Sequence, residues 1–157
     1  MLKQFAERGL KEAGISLIGP GDVLDDDILE AIGPAALGMI TSHHYSAAHA
    51  SPENKAYVEA FMKANNGMRP NFMSVGGYDG THLIYEALKK TGGATEGEKV
   101  VEAMKGMAWT SPRGPMSIDA VTRDVVQNVY IRKCELVDGK PFNVEFDKVE
   151  QFKDPGV

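Results

Sequence analysis

Cysteine and long apolar runs are scarce in this chain of 157 residues. Cys134 is the single cysteine, so no disulfide can form within the chain and the redox compartment stays open. No apolar run approaches the roughly 20 residues that a membrane-spanning helix needs. Residues 1–3 lead into an amphipathic pattern rather than an apolar one, so we expect no secretory signal peptide within this sequence.

Positive charge is also in short supply. The chain carries 17 Lys and Arg against 22 Asp and Glu, which gives a formal net charge of −5, and no basic run offsets it. A nucleic-acid-binding surface is therefore not expected. The charged fraction of 25% and the apolar fraction of 43% are ordinary for a globular domain with one core.

The sequence contains no recognisable catalytic or metal-binding motif. The segment Gly76–Gly80 lacks the lysine and hydroxyl residue of a phosphate loop, and no G-x-S-x-G motif occurs. His43 and His44 are adjacent, so on a strand they point to opposite faces, and neither a cysteine nor paired carboxylates completes a metal site with His49. Cys134 is predicted to be a small apolar residue. We therefore expect that the protein is not an enzyme and that it binds neither a metal ion nor a cofactor.

Helical and strand-like patterns alternate along the first two thirds of the chain, and strand patterns follow. Alternation followed by a β tail predicts an α/β fold with incomplete parallel sheets, flanking helices and a C-terminal β-hairpin. The predicted helices cover 2–13, 26–32, 52–64, 75–91 and a segment beginning near 95, and the predicted strands cover 15–18, 37–42, 125–136 and a returning strand over 144–152.

Several turns and caps are predicted from local sequence. Ser51 is a good N-cap before Pro52, and Asp25 is expected to cap the helix that follows it. Thr95 and Glu98 fit a capping box, and Asp138-Gly139 is a strong hairpin turn. Asp79 is expected to support the first turn of its own helix. Arg113 is expected to be a solvated turn residue, with binding of an anion as the alternative.

Five segments in a fixed order resemble one known family. They are Gly19-Pro20-Gly21-Asp22, Ile32-Gly33-Pro34-Ala35-Ala36-Leu37-Gly38-Met39, Ser51-Pro52-Glu53-Asn54, Gly77-Tyr78-Asp79-Gly80 and Ser111-Pro112-Arg113-Gly114-Pro115. Their order and spacing resemble the C-terminal part of the type I periplasmic binding proteins, in the branch that serves branched-chain amino acid ABC transporters. The resemblance implies the fold of two α/β lobes that close on a small ligand, of which this chain would be a fragment lacking the N-terminal part.

The same resemblance implies a function and a division of the chain. The function is the solute-binding component of an ABC importer in the periplasm, with an ABC permease as partner and an amino acid or an aromatic or other organic acid as solute. Residues 1–44 would belong to the second lobe or hinge, 45–111 would return helices to the first lobe, and 112–157 would form hinge and second-lobe β tail. A ligand-sensing receptor or regulator domain of the same fold stays an alternative, as does a truncated product without activity of its own.

The turn after the first strand is the first candidate binding segment. In the amino-acid-binding members of the family, this turn offers an acidic side chain to the ammonium group of the ligand. Gly21 holds the matching place here, and Asp22 follows one residue later. Asp22 takes that role if the turn shifts, whereas in the alternative interpretation it bonds only to local amides. The departure at Gly21 counts against an amino acid as ligand.

Two further pairs of residues are candidates for contact with the ligand. His44 and Tyr45 follow a strand at an expected crossing between lobes, where they would line the cleft and donate hydrogen bonds. The resemblance places Met73, with Phe72 beside it, where an apolar side chain packs on the ligand. The alternatives are solvated hinge residues for the first pair and ordinary core packing for the second.

Overall fold

The computed structural model describes residues 1–155, so the last two positions of the 112–157 segment lie outside it. Within that range, no helix has the length and apolarity needed to cross a membrane. The α-helices are α1 (Leu2–Glu7), α2 (Leu29–Ile32), α3 (Pro52–Ala64), α4 (Phe72–Lys90) and α5 (Gly97–Met104). The strands are β1 (Ile18–Pro20), β2 (Ile40–His43), β3 (Ala108–Ser111), β4 (Gly114–Ile118), β5 (Val125–Val137) and β6 (Lys140–Phe152).

A long antiparallel hairpin of β5 and β6 runs through the whole molecule. The two strands pair from Val137↔Lys140 at the turn to Gln127↔Phe152 at the far end. Asp138 and Gly139 have φ angles of 51° and 78°, a left-handed conformation that suits this dipeptide in a tight turn. The predicted C-terminal hairpin is confirmed.

The other edge of β5 carries two separate sets of strands. Its residues 130–133 pair antiparallel with β2, which in turn pairs in parallel with β1. Its residues 125–127 pair with β4, which pairs with β3. The result is a six-stranded sheet within the described range, in which β1 and β2 are the parallel pair. The expected α/β fold with an incomplete parallel sheet is therefore confirmed.

The buried apolar residues form two separate clusters. One cluster consists of Leu24, Leu29, Ala36, Met39 and Cys134, and the other consists of Tyr45, Tyr57 and Val75. The first lies under β1 and β2, and the second joins α3 to the start of α4. Cys134 is buried as expected, and its burial raises the pKa of the thiol to about 11.

The first twenty residues differ from the prediction in extent. The expected helix over 2–13 ends at Glu7, and turns follow in which Gly9 and Gly14 have positive φ angles. The strand expected at 15–18 begins only at Ile18, whose side chain is 72% exposed rather than buried. The helical spacing of apolar residues continued into the turns, so periodicity alone did not mark the end of the helix.

The helix caps show where local patterns succeed. Ser51 accepts the Asn54 amide at 3.0 Å and caps α3 as predicted. Asn71 and Ser74 form a capping box on α4 that sequence reasoning missed. The predicted capping box of Thr95 and Glu98 is wrong, because α5 begins at Gly97 with no side-chain cap.

The interpretation of Asp79 and Arg113 as solvated or locally bonded residues is wrong. The Asp79 carboxylate is 3% exposed and accepts hydrogen bonds from Trp109 Nε1 at 3.1 Å, Ser111 Oγ at 2.9 Å and Arg113 Nε at 2.8 Å. Arg113 is itself buried. These bonds tie α4 to the β3–β4 turn, across 34 residues of sequence.

We predict that Asp79→Ala lowers the free energy of unfolding by about 3–5 kcal/mol, because it leaves the buried Arg113 guanidinium without a counter-charge. The matched control is Glu86→Ala on the same helix, whose pair with Lys89 lies at the surface. Urea unfolding of both variants measures the difference. Equal losses for the two would show that the Asp79 cluster contributes no more than a surface pair.

Candidate ligand site

The candidate site lies at the carboxyl ends of the two parallel strands. β1 ends at Pro20 and β2 ends at His43, and the register pairs Pro20 with Ser42. A short 3-10 helix, Gly21–Leu24, follows β1. In open α/β sheets this edge is where ligands bind. Phe72, at the N-terminus of α4, reaches the same place, with its ring centroid 4.7 Å from that of His43.

The ring of His43 occupies the space beside Gly21. A Cβ atom added at Gly21 would overlap the Cβ, Cγ and Cδ2 atoms of His43. The φ angle of Gly21 is not in the left-handed region, so the requirement for glycine here comes from the close approach and not from backbone conformation. No side chain fits at position 21 while His43 holds this rotamer.

His43 and His44 form a hydrogen-bonded pair of rings. His43 Nδ1 accepts the backbone amide of His44 at 3.0 Å and lies 3.1 Å from His44 Nδ1. Burial is the main cause that lowers the pKa of His43 to about 4 and that of His44 to about 3. Both rings are therefore neutral near pH 7.

The start of α4 is anchored beside these rings by an acidic side chain. Asn71, the N-cap of α4, donates through Nδ2 to Asp27 Oδ2 at 3.2 Å. Asp25 was predicted to cap the helix that follows it, which is wrong: α2 begins at Leu29, and the Asp25 carboxylate accepts the Asp26 amide instead. This arrangement fixes Phe72 against His43.

A buried arginine supports the site from the sheet. Arg132 on β5 is fully buried, and its guanidinium donates to the carbonyl oxygens of Tyr45 and Gly21 and to Thr41 Oγ1. The bond to Gly21 O is 3.2 Å long. One side chain thus holds the two chain segments that leave β1 and β2.

A second buried network lies next to Arg132. Asp26 accepts the Ala47 amide at 3.0 Å and Asn143 Nδ2 at 3.1 Å, and Ser46 Oγ donates to Asn143 O at 2.5 Å. Burial raises the pKa of Asp26 to about 6, although these bonds and Arg132 oppose the shift. The network connects the loop after β2 to β6.

The structure brings together some of the predicted site residues and separates others. Gly21, His44 and Phe72 surround His43. Asp22 is exposed beside them, and Met73 is 70% exposed on the outer side of α4. The sixth residue, Tyr45, is 1% exposed, and its hydroxyl donates to Asn54 Oδ1 at 3.1 Å.

The argument against a metal site placed the side chains of His43 and His44 on opposite faces of a strand. β2 ends at His43, so the chain turns there and the two ring centroids lie 4.4 Å apart. The predicted carboxyl end of β2 is the sequence feature that could have indicated His43, because residues at the carboxyl ends of parallel strands lie close together. Among residues 1–155, no group of three or more His, Cys, Asp or Glu side chains could hold a metal ion.

We predict that Arg132→Met lowers the free energy of unfolding by about 3–5 kcal/mol, because it leaves buried carbonyl oxygens without donors and Asp26 without a nearby positive charge. Lys133→Met is the matched control, since Lys133 is next on the strand, half-exposed and paired with Glu135 near solvent. Chemical denaturation compares the two. A loss for Lys133→Met as large as that for Arg132→Met would contradict the supporting role of the arginine.

Comparison with known proteins places this geometry in a family. The family model of a periplasmic binding protein matches residues 1–140. Leu/Ile/Val-binding protein homolog 6 of Brucella abortus (strain 2308) is 45% identical over 99% of this chain and 40% of its own length. The chain thus spans less than half the length of this relative.

Solved structures agree with the sequence relatives. The solute binding protein of an ABC transporter from Rhodopseudomonas palustris BisB5, in complex with 3,4-dihydroxybenzoic acid, has a TM-score of 0.93 and 62% identity over 99% of this chain and 42% of that chain. One from Rhodopseudomonas palustris HaA2, in complex with p-hydroxybenzoic acid, has a TM-score of 0.90 and 40% identity over 99% of this chain and 43% of that chain. With the family model covering most of its residues, this chain belongs to the periplasmic binding proteins.

Proposed function

We propose that this chain forms part of a two-lobed binding protein whose solute is a small aromatic acid, for delivery to an ABC permease from the periplasm. The observation that carries the choice of solute is the contact between Gly21 and His43. The chain's own contribution is to bind the solute, and no catalytic step is proposed.

Position 21 offers no counter-charge for the ammonium group of an amino acid. The family resemblance places an acidic side chain at position 21 in members that bind amino acids, and the His43 ring leaves no room for any side chain there. Asp22 is one residue further along and exposed. An ammonium group carried into this site would lose its water without a matched carboxylate, which costs free energy. A solute without an ammonium group avoids that cost.

The site instead offers flat, neutral rings. Phe72 lies against His43 and is 5.9 Å from His44 between ring centroids, in a T-shaped arrangement. Aromatic surfaces of this kind pack favourably on another ring. The two structures from Rhodopseudomonas palustris named above were solved with hydroxylated benzoic acids, which supports the same class of solute for this chain.

The sheet supports the proposed division into lobes. Residues 1–44 contribute β2, which pairs with one half of β5, and β1 beside it. β4 pairs with the other half of β5 and carries β3 beside it. We place 1–44 in the second lobe or hinge, 45–111 with the first lobe, and 112–157 mainly in the hinge and second-lobe β tail, with β4 extending the first-lobe side. Gly21, His44 and Phe72 are the proposed ligand contacts, and Tyr45 acts from behind through its contact with Asn54. Asp22 and Met73 are exposed, and we assign them no contact with an aromatic acid.

Calorimetry on the complete two-lobed protein tests the proposal, with Asp22→Ala as the discriminating variant and Glu53→Ala, an exposed residue of α3, as the charge-matched control. We expect 4-hydroxybenzoate to bind about tenfold or more tightly than leucine, and Asp22→Ala to change its affinity no more than Glu53→Ala does. Tight binding of leucine that Asp22→Ala weakens by about 1.5–3 kcal/mol, the value of a charged hydrogen bond, would instead identify an amino acid binder.

A further inference from the structure

The hydrogen bonds of the two histidines assign their tautomers. His43 Nδ1 accepts the backbone amide of His44, so this nitrogen carries no hydrogen and the proton of the neutral ring lies on Nε2. His44 Nδ1 lies 3.1 Å from the same acceptor, which is attractive only if His44 Nδ1 carries a hydrogen. The neutral His44 ring then has a lone pair on Nε2.

His44 Nε2 is the second nitrogen of a ring that adjoins Phe72. Among the residues that the structure describes, His44 forms its ring hydrogen bond through Nδ1 only, and its side chain is partly exposed. His43 Nε2 differs, because it is buried and has no partner within the same range. The acceptor nitrogen of the pair therefore belongs to the partly exposed ring of His44, and the donor nitrogen of His43 is buried.

An acceptor at this place discriminates between the two ends of an aromatic acid. A carboxylate has no hydrogen to donate, so its oxygens and the Nε2 lone pair repel each other. A phenolic hydroxyl donates a hydrogen bond to such a nitrogen. The low pKa of both rings keeps the acceptor unprotonated above about pH 5.

Resting on the function proposed above, we propose that His44 Nε2 accepts a hydrogen bond from a hydroxyl group on the solute's ring, and that this bond selects hydroxylated benzoates over benzoate itself. The Phe72 ring, T-shaped to His44, forms the adjacent wall for the solute's ring. His43 acts as a positioning residue that fixes the tautomer of His44 through the shared Nδ1 contact.

The test measures the affinity of the complete protein for benzoate, 4-hydroxybenzoate and 4-methoxybenzoate by calorimetry. The variants are His44→Phe, which keeps a ring and removes the acceptor, and His44→Gln, which restores an acceptor oxygen near Nε2. His82→Phe is the matched control, because His82 lies ten residues further along α4 than Phe72, about 15 Å along the helix axis.

We expect the wild type to prefer 4-hydroxybenzoate over the other two acids by about tenfold, the scale of one buried hydrogen bond. His44→Phe should reduce this preference to about twofold or less, His44→Gln should keep part of it, and His82→Phe should match the wild type. The ¹⁵N resonance of His44 Nε2 should report an unprotonated nitrogen in the free protein, and it should shift with 4-hydroxybenzoate and not with benzoate.

A preference that survives in His44→Phe, an equal loss for all three acids, or a protonated Nε2 in the free protein would overturn the role of His44 while leaving the aromatic acid function in place. Failure of the wild type to bind any of the three acids would overturn the proposed function, and this inference with it. The resonance of the wild-type ring decides the tautomer even if His44→Phe does not fold.

Discussion

The buried guanidinium of Arg132 is the interaction on which the rest of the site depends. It lies in the middle of β5, where that strand pairs with β2, and it donates to the carbonyl oxygens of Gly21 and Tyr45. Gly21 directly follows β1, and Tyr45 lies two residues beyond the end of β2. The His43 ring, at that end of β2, lies against Gly21 and excludes a side chain there.

A positive charge so deep in the fold is stable only with compensation. Thr41 Oγ1 and the two carbonyl oxygens satisfy its donors, and Asp26, Asp25 and Glu145 supply negative charge nearby. Burial still lowers the pKa of Arg132 and raises that of Asp26, so each charge is held against a desolvation cost. In return, the strand ends have a defined geometry, which a binding site needs more than extra stability.

Local sequence patterns predicted the parts of the fold that depend on neighbours in sequence. The Asp138-Gly139 turn set the register of the hairpin from Val137↔Lys140 to Arg132↔Glu145, and Ser51 capped α3, because both effects begin within a few residues. Beyond Arg132, two irregularities shift the register of β5 against β6. The contacts of Asp79 with Arg113 and of Arg132 with Gly21 join residues 34 and 111 positions apart, and no local pattern reports such distances.

The candidate site was predicted in the same partial way. The predicted strand ends led to Gly21 and His44 as candidates. Because β2 ends at His43, the His43 ring also lies at the site. Tyr45 is buried, and its hydroxyl donates to Asn54 instead. The direction of a side chain at the end of a strand depends on the residue at which pairing stops. Periodicity in the sequence locates that residue only to within a few positions. The exclusion of a side chain at Gly21 is likewise a property of the packed structure.

A crystal structure of the complete protein with 3,4-dihydroxybenzoate tests the account most directly. The account predicts that the solute's ring contacts Phe72, that a hydroxyl oxygen lies within about 3 Å of His44 Nε2, and that the Arg132 bonds to Gly21 and Tyr45 persist. A solute bound elsewhere would contradict it, for example in the cavity of about 610 Å³ lined by His49, Tyr130 and Glu145. So would a solute whose carboxylate lies against His44.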